Sequence, residues 1–438
     1  MVRYIGLDLH KQFIEVCILD ASGRALYRGR TGCLRSELED FARTKLTPED
    51  RVALEATTNT WAVVTILRPF VAAVLVSNPL KTKAIAEAKV KTDRIDAEVL
   101  AQLLRCDYLP AVWYPDEQTQ RWRGLVTHRT ALMGQRTRLK NHVQSLLGRL
   151  LVQPPCKCLW AKAGLAWLKE VALPADERWV LDSELRQLDA IEEELAKADQ
   201  QLATIAQQEP RVRLLMTLPG VNYVVALGLL SALGDLSRFK DGDHVAAYLG
   251  LVPATHQSGR HCYQGPITKA GRSQTRSFLT QSAQHVARHG GPLGAFFRRL
   301  VKRKHRNVAI MAVARKLVTV AFLMLKHNEP YRYARPELMR EKFTALQMRG
   351  LEPSGAGVPA TPKPRAKGKP GLSEVYRAAG LPAVMCPEEL PLGEQRMLTE
   401  RALGEFVAEL YHPASTARRE TRSAHVGTAT RQVVNNKR

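Results

Sequence analysis

Five residues of this 438-residue chain could act together on a phosphate: Asp8, Glu55, Asp93, Asp96 and Ser258. Asp8 lies inside an apolar run, where a carboxylate without a partner carries a large desolvation cost. Glu55 closes Arg51-Val52-Ala53-Leu54-Glu55, at the carboxyl edge of an expected strand, where open α/β sheets place their ligands. Asp93 and Asp96 are three residues apart in Lys91-Thr92-Asp93-Arg94-Ile95-Asp96-Ala97, so on a helix they share a face. Carboxylates converging from two strands and a helix repel one another unless a hard cation lies among them. Mg²⁺ takes oxygen ligands and bridges carboxylates to phosphate, and two such ions about 4 Å apart can stabilise the entering and leaving oxygens of a phosphoryl displacement. The alternative for the helical pair is ordinary: Asp93 as a first-turn acid complementing the helix dipole, Asp96 as a solvated partner of an arginine. Glu98 reads as a spare, solvent-facing acid.

Ser258 stands in Leu251-Val252-Pro253-Ala254-Thr255-His256-Gln257-Ser258-Gly259-Arg260-His261, a turn-rich, cation-rich stretch between two helical patterns. A serine on exposed backbone could be a nucleophile, with His256 and His261 near enough in sequence to assist; Ser-Gly is also common turn punctuation. Lys269, Arg260, Arg272 and Arg276 follow as candidate phosphate contacts rather than base readers.

These residues need elements to position them. Residues 2–9 and 13–19 and a run near Ala25-Leu26-Tyr27 predict an antiparallel meander, followed by strand 51–55, a helix from Trp61 to Phe70 and a strand from Ala72 to Val76. That order predicts an α/β sheet of mixed direction over 1–115. From 116 to 210, Leu181, Leu185, Leu188, Ile191, Leu195 and Leu202 keep helical spacing, and two long helices are expected, plausible as a coiled coil. The first is basic, with Arg136, Arg138 and Lys140 as candidate nucleic-acid contacts, and the second acidic. The segment 211–335 reads as mainly helical. Its Leu218-Pro219-Gly220-Val221 turn is similar to a helix-hairpin-helix, in which amides around Gly220 would meet a phosphate. The remainder, 336–438, reads as a cationic linker and flexible extension with one or two small helices between 373 and 410.

Lys and Arg number 65 against 42 Asp and Glu, a formal charge of +23, which favours a polyanionic partner such as DNA or RNA. No apolar run is read as approaching the ~20 residues of a membrane span, and the first residues read as a strand rather than a signal peptide, so no membrane role and a cytoplasmic, nucleoid-associated location are expected. Seven scattered cysteines make no disulfide framework, and Cys156-Lys157-Cys158 lacks zinc-site spacing.

Gly6-Leu7-Asp8-Leu9-His10-Lys11, Leu54-Glu55-Ala56-Thr57, Lys91 to Ala97, Leu218-Pro219-Gly220-Val221 and the segment from Ser258-Gly259 to Gly271 occur in an order that resembles the DEDD-type insertion-sequence transposases, bridge-RNA-guided serine recombinases. The resemblance spans residues 1 to about 330. It implies a RuvC-like, RNase H-type domain whose four acids hold Mg²⁺, a helical insertion, and a transposase domain whose serine forms a covalent phosphoserine with DNA. It also implies a structured guide RNA paired to donor and target duplexes, and a homodimer or homotetramer in which the acids of one protomer meet the serine of another. Asn222 in the hairpin turn, Arg272 after Gly271 and the long tail depart from the pattern. Two rival functions remain on the residues alone: a RuvC-like junction endonuclease using water, and a non-catalytic nucleic-acid scaffold.

Overall fold

A computed structural model describes residues 2–85, 92–259, 261–350 and 370–411. The chain forms two compact units, Met1–Asp116 and Glu117–Arg438.

The first unit contains, in chain order, β1 (Tyr4–Leu9), β2 (Phe13–Leu19), β3 (Ala25–Gly32), α1 (Arg35–Lys45), β4 (Arg51–Glu55), α2 (Thr60–Leu67), β5 (Ala73–Ser77), α3 (Pro79–Ile85), α4 (Asp93–Arg105) and β6 (Ala111–Val112). The six strands lie in the order β3-β2-β1-β4-β5-β6. The β1–β2–β3 meander is antiparallel, β1, β4 and β5 are parallel, and β6 runs back along β5. The expected mixed sheet is thus present; α1 and β6 were not anticipated.

Near-continuous apolar runs in β1, β2 and β4 follow from cover on both faces. Ile5, Leu7 and Leu54 pack with Leu38, Phe41, Val63 and Leu67 of α1 and α2, whereas Cys17, Leu19 and Ala53 meet Ala97, Leu100, Ala101 and Leu104 of α4. The approach of α4 to β1 requires Gly6. A Cβ there would fall 1.9 Å from the Ala97 carbonyl oxygen and 2.7 Å from the Ala101 amide nitrogen. Strand and helix therefore touch main chain to main chain.

The second unit begins with α5 (Glu117–Arg149), α6 (Lys162–Glu170) and α7 (Ala175–Gln208). The ion pairs Arg129–Asp199, Arg136–Glu192 and Arg149–Glu177 show that α5 and α7 run antiparallel. Val143, Leu146 and Leu147 of α5 pack against Leu168, Leu181 and Leu185. The basic face of α5 therefore meets the acidic face of α7 in the same chain. Beyond lie α8 (Pro210–Met216), α9 (Tyr223–Leu233), α10 (Gly242–Tyr248), the hairpin β7 (Pro253–Ser258) and β8 (His261–Ile267), α11 (Ser273–Ala287), α12 (Gly291–Val301), α13 (Arg306–His327), α14 (Pro336–Arg349), α15 (Leu372–Ala378), α16 (Leu392–Glu400) and α17 (Gly404–Tyr411).

Two expectations need correction. Helix α13, 22 residues long, is long and apolar enough to cross a membrane by length and composition, contrary to the reading that no run nears that length. Its buried stripe, from Ala309 and Ile310 through Val313, Leu317 and Phe322, belongs to the main core, which accounts for its apolar character. The segment read as linker and flexible extension from 336 starts instead with α14, whose Met339, Phe343 and Leu346 are in that core. Leu372, Val375, Tyr376, Val407 and Leu410 join it, and the Tyr376 hydroxyl donates to the Tyr331 carbonyl at 2.7 Å. The Pro-rich and Lys-rich stretch of 351–369 and the tail after 411 lie outside the described residues.

Candidate active site

The sheet brings its acids to one edge. Register pairs Leu7 of β1 with Leu54 of β4, so the next residues, Asp8 and Glu55, occupy adjacent positions at the carboxyl end of neighbouring parallel strands. Helix α4 starts at the same edge because its contact at Gly6 fixes where its first turn falls. Thr92 caps that turn, its hydroxyl accepting from the Ile95 amide at 3.4 Å, and Asp93 and Asp96 both belong to it.

A residue that sequence reasoning did not assign a role completes the cluster. His10 Nε2 is 3.0 Å from Asp8 Oδ2 and 3.3 Å from Asp93 Oδ2. The three ligand atoms lie within 4.8 Å of one another, the only such group among the described residues. His10 is steadied by stacking on Phe13, with centroids 4.7 Å apart, and its carbonyl accepts from Cys33 Sγ and from Asn59 Nδ2 in the loop after Glu55. The available signal was its position two residues beyond Asp8, just where β1 ends.

Burial raises the Asp8 carboxyl above the usual aspartate range; His10 opposes the shift, and the charges of Asp96 and Asp93 add to it. Glu55 and Asp96 stand outside the close trio, but Asp96 is near enough for its field to reach Asp8. The donor set fits a hard divalent cation: Asp8 and Asp93 supply carboxylate oxygens, and His10 Nε2, within reach of both, lies where the two carboxylates favour positive charge. Glu98 is not merely solvent-facing, since Arg28 of β3 donates to both its oxygens at 2.9 Å.

Ser258 is placed differently. It ends β7 and pairs in register with His261 across a tight turn, so the stretch read as a loop is a two-stranded hairpin. Gly259 holds φ +55° in that turn, and a Cβ built on it would meet nothing within 4 Å. Residues from Thr255 to Ser258 and from His261 to Gln264 are exposed, so this ribbon has no buried face to produce an apolar period. His256 pairs with Tyr263, their rings 5.0 Å apart and nearly parallel. Strand alternation then places Ser258, His261, His256 and Tyr263 on one face.

The candidate phosphate contacts divide. Lys269 has φ +53° and lies exposed at the foot of the hairpin. Arg276 is committed to structure: its guanidinium donates to the carbonyls of Ala270, Gly271 (3.2 Å) and Leu249 (3.4 Å), closing the hairpin's base. Arg272 is half-buried, which lowers its pKa, and Nη2 donates to Thr127 at 3.4 Å. On α5, Arg136 and Lys140 both pair with Glu192, at 3.3 and 3.5 Å, and Arg138 is exposed. Arg260 lies outside the described residues. Gly220, at φ +74°, lies against α11, where the Ser282 hydroxyl donates to its carbonyl at 2.8 Å. Asn222, the departure from the hairpin pattern, caps α9 by accepting from the Val225 amide at 2.9 Å.

The two halves of the chain match two models of one family: a DEDD-type IS110 transposase model over residues 5–151 and the "Transposase IS116/IS110/IS902 family" over 212–298, together more than half of the chain. The chain is 25% identical over 340 residues to the transposase for insertion sequence element IS1111A of Coxiella burnetii, covering 76% of this chain and 92% of that one. It is 26% identical to a probable family 20 transposase of Pseudomonas aeruginosa, covering 75% and 98%, and 26% identical to the pilin gene-inverting protein of Moraxella bovis, covering 75% and 97%. With acids gathered at the edge of a mixed α/β sheet and a helical unit after it, the chain belongs to the DEDD-type IS110-family transposases and is a DNA transposase/recombinase enzyme.

Proposed function

We propose that this enzyme cleaves and rejoins DNA through a covalent bond to Ser258, with Asp8, Glu55, Asp93 and Asp96 as the acids that hold Mg²⁺. The observation carrying the metal part is the Asp8–His10–Asp93 cluster at the carboxyl edge of β1, next to Glu55 in register. A bound Mg²⁺ would supply charge neutralisation at the phosphate and an acidified environment for a hydroxyl. Supporting the serine part are its exposure at the hairpin tip and its placement on one face with His261 and His256.

In the proposed step, the Ser258 Oγ–P bond forms as a P–O bond of the DNA backbone breaks. The serine proton passes to a base and from there to the leaving oxygen, so that the strand departs as a hydroxyl and the phosphodiester is preserved for rejoining. No external energy source is then required. His261, opposite Ser258, is the nearest candidate in the strand register to take that proton. A structured guide RNA would choose donor and target by base pairing, leaving the protein to contact backbones, in line with the excess of Lys and Arg. A homodimer or homotetramer, pairing the acids of one copy with the serine of another, completes the reading, and the antiparallel α5/α7 pair is read as an intrachain coiled coil. On this reading the enzyme works in the cytoplasm of a bacterial cell, at the nucleoid.

The test is denaturation-resistant capture of labelled DNA on the protein. An adduct formed by the wild type and absent from Ser258→Ala supports the serine. Strand cutting that survives in Ser258→Ala with no adduct in either protein would instead establish a nuclease that uses water. Binding of DNA without any cutting, unaffected at all five positions, would leave a scaffold.

A further inference from the structure

Beside the Gly220 turn lies a cavity of about 320 Å³, lined by Gly220, Asn222, His285, His289, Arg335 and Lys342 among others. Four of these side chains can carry positive charge. His285 and His289 come from the end of α11 and the residues after it, Arg335 and Lys342 from α14 and its N-cap. Among the described residues none of the four has an ion pair with a carboxylate, and the single acid on the cavity wall, Glu341, is exposed.

The groups repel one another. Burial lowers the His289 pKa first, and Arg335, His285 and Lys342 lower it further. Lys342 is pushed down to about 7 by burial, although Nζ donates to the carbonyls of Met216 and Leu218, both at 2.8 Å. Those two bonds leave one N–H of an ammonium unaccounted for. Two helices of ample length also open here: α12 from Gly290 and α14 from Arg335, neither with a side-chain cap on its first turn. The positive ends of both helix dipoles add partial positive charge. Phe406 covers Gly290 and Gly291 so closely that a Cβ on Gly291 would lie 2.9 Å from its ring, which closes one side of the cavity.

Such an arrangement favours an anion. We infer that this cavity is a phosphate-binding site, and that its ligand is a backbone phosphate of the DNA or RNA on which the enzyme acts. Arg335 supplies a charge-assisted donor and the histidine rings supply N–H donors, and the volume accommodates a phosphodiester with part of its sugar. The inference rests on the chain acting on nucleic acid and is independent of the serine chemistry.

The measurement is binding of a short blunt DNA duplex to the full-length Ser258→Ala protein across a salt series, so that no strand chemistry intervenes. Arg335 is exposed, and Arg335→Gln is expected to fold as the parent does, checked by its melting temperature. In that background, Arg335→Gln is expected to weaken duplex binding about tenfold and His289→Gln by less. The salt dependence should also flatten by about one ion per lost contact. Both variants binding with unchanged affinity and slope would overturn the assignment. A second probe, inorganic phosphate, distinguishes the source. Perturbation of the His285 and His289 ring signals by phosphate and by duplex alike, with competition between them, supports a backbone phosphate. Perturbation by phosphate alone, with duplex binding indifferent to Arg335, would overturn that source in favour of a free phosphate or nucleotide.

Discussion

The acids sit where a sheet covered on both faces comes to an end, whereas Ser258 sits at the tip of a ribbon exposed on both. The first arrangement is fixed before any ligand arrives: β-register sets Asp8 against Glu55, and main-chain contact at Gly6 sets the first turn of α4. The second has almost nothing to hold it except its own ladder and the Arg276 clasp at its base. A two-stranded hairpin alone is at best marginally stable. The contrast suits the two tasks. Electrostatic stabilisation works through preorganised groups that need not move at the moment of reaction. A nucleophile must be brought to a phosphate, and an exposed ribbon can be delivered to one.

The largest expected effect tests the preorganised side. Asp8→Asn should lower strand transfer on the order of 10³-fold in Mg²⁺ while leaving the melting temperature close to that of the parent, since it also removes like-charge repulsion. Retention of most activity would remove Asp8 from the site. Gly6→Val should destabilise by about 3 kcal/mol, because the side chain must displace the α4 backbone, and chemical denaturation reads this directly. An undisturbed variant would show that the contact at Gly6 does not set the geometry.

Mg²⁺ gives the third test. At ten times its dissociation constant it should stabilise the wild type by about 1.4 kcal/mol and Asp8→Asn by much less, measured by thermal unfolding. The pH dependence has a definite sign. A carboxyl whose folded pKa is raised favours folding at pH below its unfolded value, and that contribution is lost as pH rises through the folded pKa. The metal-free protein should therefore lose this increment on going from acidic to neutral pH, while stabilisation by Mg²⁺ grows over the same interval. A Mg²⁺ effect that is flat with pH would dissociate it from Asp8. The smallest effects belong to the ribbon: Tyr263→Ala should change global stability by less than about 0.5 kcal/mol. A large loss there would mean the ribbon is an integral part of the fold and the contrast fails.

Much of the first unit was legible because its physics is local. Strands β1, β2 and β4 are apolar runs bounded by polar turns, and acids within such runs are conspicuous. Helix α1 was missed because its core positions, Leu38, Phe41 and Ala42, are few among charges. The role of His10 depends on Asp93, some eighty residues away, meeting the end of β1, and no local pattern encodes that meeting. In the second unit, Thr255-His256-Gln257 and Cys262-Tyr263-Gln264 carry no hydrophobic alternation because neither face is buried, so the ribbon read as a loop. The charged faces of α5 and α7 were visible, but their mutual pairing depends on an antiparallel arrangement that composition does not specify. One or two small helices were foreseen near 373–410 where three form, and their membership in the core was not foreseen, since a handful of residues such as Leu372 and Tyr376 carry it.

The absence of any side chain between β1 and α4 at Gly6 also bears on how this site can change over generations. With two backbones in direct contact, even the smallest side chain at position 6 would push the helix away and so change the spacing of Asp8 from Asp93 and Asp96 in one coarse step. Fine adjustment at this site is then left to the ligating groups themselves, on a separation that the two backbones hold constant.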